Sequence, residues 1–211
     1  MRAATEFDRE LADEDRVLRL LPEDRIVDVD AARVAVADLL LAFGFDVADE
    51  GLRETPRRVV AALKELVTPL PFQMTTFANA DGYDGLVLAR GIPFHSLCQH
   101  HLLPFIGIAH IGYLPAERIV GLSKLGRTVD HFARSLQMQE RLTTQLANCL
   151  QGALRPKGVG VVLEAEHLCM SLRGTRKPAK TVTSALLGTI RHDARARHEF
   201  LALTGAPGTA E

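Results

Sequence analysis

The sequence predicts an α+β fold in which an antiparallel β-sheet carries helices on one face. Three observations lead to this expectation, and all come from the second half of the 211-residue chain. A strand-like segment rich in Ile and Phe covers residues 105–114, and two segments with helical periodicity follow at 123–135 and 137–150. Two β-branched segments, 159–170 and 181–187, come after them. This order of elements fits one sheet whose apolar face is covered by the helix pair.

Two helices are predicted ahead of the sheet. Asp30 is the candidate N-cap of the first, which ends before Gly44. Thr55 and Pro56 open the second, with Thr as the N-cap and Pro at the first helical position. A short apolar run at 86–88 predicts one more strand. The chain is therefore divided into a variable leader at 1–29, an N-terminal helical segment at 30–80 and a sheet domain at 81–205.

The composition limits the class of protein. Hydrophobic residues make up 47% of the chain and the formal net charge is −1, which suits one well-buried domain. There is no basic excess, no Lys/Arg-rich block and no long apolar run, so we expect neither a nucleic-acid partner nor a membrane. The N-terminal residues lack the apolar core of a secretory signal, and three cysteines fit a reducing compartment. We therefore expect a cytoplasmic protein.

The most informative motif is C-Q-H-H at residues 98–101, which is followed far along the chain by H-L-C at 167–169. The thiolate of Cys98 and the imidazole of His101 are three residues apart and can bind one metal ion. The thiolate of Cys169, from a distant segment, completes a set of three ligands. Three Cys/His ligands suit Zn²⁺ and leave its fourth position to water, which is the arrangement of catalytic rather than structural zinc sites.

The metal interpretation has a plain alternative, because a single C-x-x-H pair arises by chance and a buried cysteine is usually a small hydrophobic residue. Geometry favours the metal. If 167–169 is a strand, alternation places His167 and Cys169 on the same face. His167 and His100 would then lie beside the metal without binding it, and a zinc water with spare imidazoles is a hydrolytic site. Cys149 lies in an apolar helical segment and is predicted to belong to the core.

Two groups of basic residues suggest a phosphorylated ligand. Ser123 and Lys124 begin a predicted helix, whose N-terminus attracts anions, and Arg127 lies on the same helical face as Lys124. A solvated basic face is the alternative, since most surface charges bind nothing specific. Arg173 begins a second basic cluster that ends at Lys180, for which a solubilising loop is the alternative.

Gln139 and Glu140 lie together in an otherwise apolar and basic helix. A carboxylate such as that of Glu140 can accept two parallel N–H bonds from the N1–H and 2-amino edge of guanine, a match that adenine lacks. The alternative is an exposed helical glutamate paired with a nearby arginine.

These segments together resemble the GTP cyclohydrolase I family over roughly residues 30–201. The similarity rests on six blocks in the family's order and spacing, at 51–58, 98–105, 121–124, 137–143, 167–170 and 173–174. The resemblance implies the tunnelling fold (T-fold), with residues 81–205 as the catalytic domain. It also implies pentamers stacked face to face into a toroidal homodecamer, with each active site formed between subunits.

The resemblance implies a role for each candidate residue. The zinc ligands would be Cys98, His101 and Cys169. The catalytic residues would be His100, which protonates N7 of guanine, His167, which moves protons as formate leaves, and Ser123, which assists the ribose rearrangement. Residues that bind the triphosphate and guanine of GTP would be Lys124, Arg127, Arg173, Arg58, Gln139 and Glu140. The implied reaction opens the imidazole ring of GTP and yields formate and 7,8-dihydroneopterin triphosphate, a precursor in tetrahydrofolate biosynthesis.

One position departs from the family pattern, because Gln99 stands where the family usually has glutamate between the metal cysteine and the catalytic histidine. Glutamine cannot carry charge or accept a proton, so the metal affinity or the pKa of His100 can differ here. Two alternatives therefore stay open. One is a specialised paralogue that acts on GTP in a secondary pathway, such as deazapurine synthesis, or stops at the ring-opened formamide. The other is a catalytically silent, nucleotide-binding ring protein.

Overall fold

The computed structural model describes residues 26–205, so the predicted leader at 1–29 lies almost wholly outside the described part of the chain. Contacts divide the described residues into two compact units, 26–68 and 69–205. The first unit contains the helices α1 (Val29–Ala42) and α2 (Thr55–Val67). The second unit contains, in chain order, β1 (Thr76–Ala78), β2 (Val87–Cys98), β3 (Pro104–Leu114), β4 (Arg118–Val120), α3 (Leu122–Ala133), β5 (Leu136–Gln137), α4 (Gln139–Leu154), β6 (Gly158–His167), α5 (Leu168–Ser171), β7 (Lys180–Leu187), α6 (Gly188–His192) and α7 (Ala194–Thr204). No helix within residues 26–205 combines the length and hydropathy needed to cross a membrane.

The second unit is built on a five-stranded sheet with the order β5-β2-β3-β6-β7. Strands β2, β3, β6 and β7 pair antiparallel, whereas the two-residue strand β5 runs parallel to its neighbour β2. Strands β1 and β4 form a separate antiparallel ribbon. The predicted α+β class with an antiparallel sheet is confirmed.

The main core lies between one face of the sheet and the helices α3 and α4. Each helix buries a stripe of side chains at helical spacing, and β3 supplies large residues opposite them: Leu125, Val129 and Phe132 from α3, Leu142, Leu146 and Leu150 from α4, and Phe105, Ile111 and Tyr113 from β3. Full burial of one such apolar side chain contributes about 1.5–3 kcal/mol. This layer therefore fixes both helices against the strands that carry the functional motifs.

Both of these helices begin at residues other than those predicted. Helix α3 begins at Leu122, one residue early, and ends at Ala133. Helix α4 begins at Gln139, because Leu136 and Gln137 form β5 beside the end of β2 and Met138 is the N-cap. The backbone N–H of Gln99 also donates to the carbonyl oxygen of Gln137 at 2.9 Å, so β5 supports the turn that follows β2.

The predicted helix caps in the first unit are corrected as well. Asp28 rather than Asp30 caps α1, and its carboxylate accepts a hydrogen bond from the N–H of Ala31 at 2.9 Å. Asp28 has the extended backbone that an N-cap requires, whereas Asp30 already lies in the first helical turn. Thr55 is the first residue of α2 rather than its cap, which is Glu54.

The C-terminal helices α6 and α7 cover part of the opposite face of the sheet, in addition to the predicted helix layer. Phe200 of α7 lies over Gly112 of β3 and Gly160 of β6, which are register partners. A Cβ atom on Gly160 would lie 2.7 Å from the Phe200 ring, so the absence of a side chain makes room for the helix. Farther along the same face, three apolar side chains remain exposed: Ile106, Ile108 and Val182.

Candidate metal and catalytic site

The C-Q-H-H motif lies in the tight turn that joins β2 to β3. Cys98 is the last residue of β2, and its carbonyl oxygen accepts hydrogen bonds from the N–H groups of Leu102 at 2.9 Å and His101 at 3.3 Å. Leu102 takes a left-handed backbone conformation with φ of 56°, which turns the chain back toward β3. The turn brings His101 to the thiol, so that its Nδ1 lies 3.8 Å from Cys98 Sγ.

The H-L-C motif lies where β6 ends. Strand β6 stops at His167 and residues Leu168–Ser171 form the helical turn α5, so the predicted strand 159–170 is wrong over its last three residues. The pairing of β6 with both neighbours stops at this point, because β3 begins at Pro104 and β7 begins at Lys180. A longer strand would have unpaired backbone groups. The alternation argument for Cys169 therefore does not apply, and α5 presents the thiol instead.

Strand β3 brings the two motifs together. Its first residues pair with the end of β2 on one side and with the end of β6 on the other. The ligand atoms of Cys98, His101 and Cys169 consequently lie within 4.8 Å of one another. Tetrahedral Zn²⁺ with bonds of about 2.0–2.3 Å needs ligand atoms about 3.6–3.8 Å apart, so small side-chain movements would close the set around an ion.

The donor chemistry of this cluster also fits a metal. Two thiols and one imidazole are ligands that suit Zn²⁺ among the common divalent cations. Burial raises the pKa of the Cys169 thiol, and the adjacent Cys98 raises it further because two neighbouring thiolates repel. A cation bound between the two sulfurs would favour both thiolates. The three predicted ligands are therefore suited to a metal in position and in chemistry.

His100 lies beside the cluster in the same turn. Its Nδ1 is 3.8 Å from Cys98 Sγ, and its Nε2 is 3.4 Å from the amide nitrogen of Gln99. The ring is exposed and can therefore meet a bound ligand. The Gln99 amide cannot exchange a proton with the ring, in contrast to the glutamate that is usual in the family pattern.

His167 is held on two sides. Its ring stacks on that of Phe105 with a centroid separation of 4.7 Å and an interplanar angle of 3°. Its Nε2 lies 2.8 Å from Oε1 of Gln139. Burial lowers the pKa of His167, and the carboxylate of Glu140 partly offsets that effect. Since the ordinary histidine pKa is already near 6.5, this ring is mostly neutral at pH 7.

Gln139 and Glu140 both occupy the first turn of α4 but differ in exposure. Gln139 is 1% exposed and its amide bonds to groups of β6 and β7, whereas the Glu140 side chain is exposed. Guanine binding stays a prediction for both residues. Of the two, Glu140 has the more accessible side chain for a ligand.

The predicted phosphate-binding residues lie in three places. Ser123, Lys124 and Arg127 lie in the first two turns of α3, where Ser123 and Arg127 are exposed. Arg173 is exposed in the loop after α5. Arg58 lies on α2, in the first unit.

The start of α3 is distant from the metal cluster within one chain. Val120, just before α3, donates its N–H to the hydroxyl of Tyr113 at 3.0 Å, and Tyr113 pairs with Val87 at the beginning of β2. Cys98 is at the other end of this strand of 12 residues, which contains a bulge between Ala89 and Ile92 and spans at most about 36 Å at 3.3 Å per residue. Within one chain, Lys124 and the metal cluster therefore lie near opposite ends of β2.

Reasoning from the sequence missed the polar partners of the buried Gln139, which include Thr143 on α4 and Thr181 and Thr183 on β7. A weak signal was available, because Thr143 follows Gln139 by one helical turn. Their meeting, however, depends on the contact between α4 and β7, which no local pattern specifies.

An antiparallel sheet that presents a three-ligand Cys/His cluster with two further histidines is suited to a metal-dependent hydrolase. A model of GTP cyclohydrolase I matches residues 32–205. Relatives named GTP cyclohydrolase 1 align over most of the chain. The protein of Synechococcus sp. (strain JA-3-3Ab) is 49% identical over 85% of this chain and 81% of its own length. The protein of Aquifex aeolicus is 50% identical over 84% of this chain and 97% of its own length. The protein of Streptomyces griseus is 51% identical over 83% of this chain and 90% of its own length.

The chain belongs to the GTP cyclohydrolase I family. This is a family of hydrolases with the tunnelling fold, so the fold and the enzyme class expected from the sequence are confirmed. A solved structure of an archaeosine synthase QueF-like protein in the apo form aligns with 49% of this chain and 93% of its own, at 17% identity and a TM-score of 0.40. That likeness is too weak to add to the assignment.

Proposed function

We propose that the protein catalyses the zinc-dependent hydrolytic opening of the guanine imidazole ring of GTP, releases formate and forms 7,8-dihydroneopterin triphosphate. The observation that carries this proposal is the meeting of Cys98, His101 and Cys169, with His100 and His167 within two residues of these ligands in sequence. Relatives named GTP cyclohydrolase 1, at about 50% identity, support GTP as the substrate. The product would enter tetrahydrofolate biosynthesis.

The proposed chemistry starts from the fact that C8 of guanine is a poor electrophile. When bound, Zn²⁺ supplies a water whose pKa falls to about 7. His100 donates a proton to N7, which makes C8 more electrophilic. His167, whose pKa is lowered by burial, is neutral near pH 7 and exchanges a proton as the formyl group leaves. Two imidazoles in different surroundings thus serve as acid and base, and Ser123 assists the ribose rearrangement that follows.

The rest of GTP would be held by residues outside the metal cluster. Lys124 and Arg127 lie near the N-terminus of α3, where unpaired N–H groups and the helix dipole favour an anion. Arg173 follows Cys169 closely and acts on it electrostatically, so its charge is within reach of the site. Together with Arg58 these residues would bind the triphosphate, and the exposed carboxylate of Glu140 would bind the guanine edge.

We infer that a second chain completes each site, in a toroidal homodecamer of two pentamers. The distance between the start of α3 and the metal cluster supports a site shared between chains. Two surfaces support self-association. Strand β7 is an edge strand of the described sheet and exposes Val182, and an open edge can pair with another chain. Helix α1 has no buried residue and exposes Val34, Leu39 and Leu41.

The state of the cysteines supports a cytoplasmic location. All three cysteines are free thiols, which persist where the surroundings are reducing. Two of them are the proposed zinc ligands, which must stay reduced to bind the ion.

The test is zinc analysis coupled to GTP turnover on the purified protein. We expect about one Zn²⁺ per chain, and formate release in step with the appearance of the pterin, detected by mass spectrometry. Removal of zinc with a chelator should abolish both products, and added Zn²⁺ should restore them. Pterin formation at the full rate by metal-free protein would refute the proposal.

Because the amide of Gln99, and not a carboxylate, lies beside His100, one alternative is an enzyme that stops after ring opening. Formate or the ring-opened formamide without any pterin would support that enzyme. No formate at all would support a silent, nucleotide-binding ring protein. The substitution Gln99→Glu separates these outcomes further, because a carboxylate beside His100 should raise turnover in an arrested enzyme and leave a silent one inactive.

A further inference from the structure

We propose that Gln139 is a positioning residue that fixes the ring orientation and the tautomer of His167 and does not contact GTP. The inference rests on the proposed function, because it assigns the form in which His167 exchanges its proton. It differs from the guanine-binding role that the family pattern implies for Gln139.

The hydrogen-bond partners of the Gln139 amide determine which of its atoms faces His167. The nitrogen Nε2 donates to two backbone carbonyl oxygens, Leu163 O at 3.1 Å and Thr181 O at 2.9 Å. Carbonyl oxygens only accept hydrogen bonds, so an amide turned by a half rotation would set its own oxygen against both. The oxygen Oε1 must therefore face His167, where it lies 2.8 Å from Nε2.

The orientation of the amide determines the tautomer of the ring. An amide oxygen only accepts, so His167 must donate and its Nε2 must carry a proton. In a neutral imidazole a proton on Nε2 leaves Nδ1 with the lone pair. Within residues 26–205 no group forms a hydrogen bond with His167 Nδ1. This nitrogen is therefore the one left to exchange a proton with the substrate.

Two threonines hold the amide in place. Thr143 donates its hydroxyl proton to the carbonyl oxygen of Gln139 at 2.7 Å. Because that proton is used, the 2.6 Å contact between the hydroxyls of Thr143 and Thr183 has Thr183 as its donor. The Thr183 oxygen then lies 3.2 Å from Gln139 Nε2 and shares one of its two protons with a backbone carbonyl oxygen. Gln139 and Thr143 are each 1% exposed and Thr183 is half-buried, so the Gln139 amide is shielded from bulk water.

The plane of the His167 ring is fixed by a separate contact. Phe105, which is fully buried, is its register partner across β3 and β6 and stacks on it almost in parallel. The stack limits tilting of the ring, and the bond to Gln139 determines which ring edge faces α4. Together the two contacts leave His167 one orientation, which lowers the cost of aligning it in the transition state.

The first experiment measures steady-state kinetics of the Gln139→Leu variant. The substitution removes the acceptor at Nε2 and lets either tautomer form, so we expect kcat to fall about ten- to hundred-fold, as for other partners that orient a functional histidine. Since the amide does not contact GTP, KM and the zinc content should change by less than about twofold. Gln151→Leu is the matched control, because it makes the same change on the same helix about 18 Å away. It should leave kcat unchanged.

Equilibrium binding separates positioning from guanine recognition. In a His100→Ala background, which should bind GTP without turnover, Gln139→Leu should leave the dissociation constant for GTP unchanged. Glu140→Ala in the same background should raise it, because the proposed guanine contact is lost. A rise with Gln139→Leu as large as that with Glu140→Ala would overturn the inference.

A milder variant covers the case in which Gln139→Leu does not fold. Thr183→Val keeps the shape of the side chain and removes one bond to the Gln139 amide. We expect kcat to fall by a smaller factor, about three- to tenfold, with KM unchanged. An unchanged kcat in a folded, zinc-loaded Thr183→Val protein would count against a positioning role.

The tautomer can also be read without any turnover. Solid-state NMR of the zinc-loaded protein with ¹³C,¹⁵N-labelled histidine, compared with a His167→Asn sample, isolates the signals of this ring. We expect a protonated Nε2 and an unprotonated Nδ1 in the wild type, and a mixture of tautomers in Gln139→Leu. A protonated Nδ1 in the wild type overturns the inference whether or not GTP is hydrolysed. Failure of the wild type to release formate would instead refute the proposed function and leave this measurement valid.

Discussion

At the scale of single residues, three histidines near the metal cluster have different surroundings. His101 has its Nδ1 within reach of the Cys98 sulfur, as a ligand would. His100, its neighbour in the turn, is exposed, and its ring nitrogens lie near the side chains of Cys98 and Gln99 in the same turn. His167 is stacked and hydrogen-bonded. An exposed ring can adjust to the substrate, whereas a held ring offers one nitrogen in one direction, so the two spare histidines are suited to different proton transfers.

Replacement of His100 tests its role as an acid rather than a ligand. We expect His100→Ala to keep its zinc and to lose kcat by about 10²–10⁴-fold, the usual contribution of a general acid or base. Zinc content by atomic spectroscopy and formate release on the same sample measure both effects. Loss of zinc together with activity would instead make His100 part of the metal site.

Replacement of Cys169 tests the metal cluster itself. We expect Cys169→Ala to lose zinc during dialysis against a mild chelator, because two ligands remain of three. The control is Cys149→Ala, at a buried thiol of α4 that is not part of the cluster. Burial raises the pKa of Cys149 to about 12, which disfavours its thiolate form. Equal zinc retention by both variants would remove Cys169 from the ligand set.

The metal ligands could be predicted from the sequence, whereas the surroundings of His167 could not. Cys98 and His101 are three residues apart, and a thiol and an imidazole at this spacing indicate a pair of metal ligands whichever element of the fold carries them. The bond between Gln139 and His167 joins α4 to the end of β6, and the amide is oriented by carbonyls from β6 and β7. Such contacts depend on how the elements pack, and neighbouring residues in the sequence give no information about them.

At the scale of elements, the periodic segments were predicted well and their ends were not. Helices α3 and α4 bury the apolar positions that their spacing selects. The start of α4 is delayed because β5 pairs with β2, and β6 ends where its neighbouring strands end. The start of α4 and the end of β6 are both determined by strand pairing between segments that are distant in sequence. The composition of 159–170 favours a strand throughout, yet a strand needs partners as well as propensity.

The packing of α7 on the sheet can be tested at one glycine. We expect Gly160→Ala to destabilise the protein by about 1–3 kcal/mol, because the new Cβ would meet the Phe200 ring at 2.7 Å. The control is Gly126→Ala in α3, where a Cβ meets nothing within 4 Å. That change should stabilise the helix by about 0.5–1 kcal/mol. Urea unfolding measures both, and equal stability of the two variants would contradict the described position of α7.

At the scale of the whole molecule, the shared site can be tested by mixing two inactive variants. One variant carries Cys169→Ala, and the other carries Lys124→Ala with Arg127→Ala. If each site takes its metal from one chain and its phosphate contacts from a neighbour, random mixed rings should recover about a quarter of wild-type activity. The variants are mixed after dissociation, reassembled and assayed, and each variant alone treated in the same way is the control. Light scattering checks that the mixed rings are decamers of the 23.1-kDa chain. If such rings recover no activity, one chain holds the complete site.

The three candidate ligands come from two chain segments that are far apart in sequence and meet only at the first residues of β3. An ion bound there is also a cross-link, which closes a long loop and restrains the hairpin turn and the junction after β6 together. Metal starvation would therefore loosen this end of the sheet as well as stop turnover. Backbone amide hydrogen exchange should become faster in both segments at once. Chelation of the metal should therefore reduce local order even when no denaturant is present.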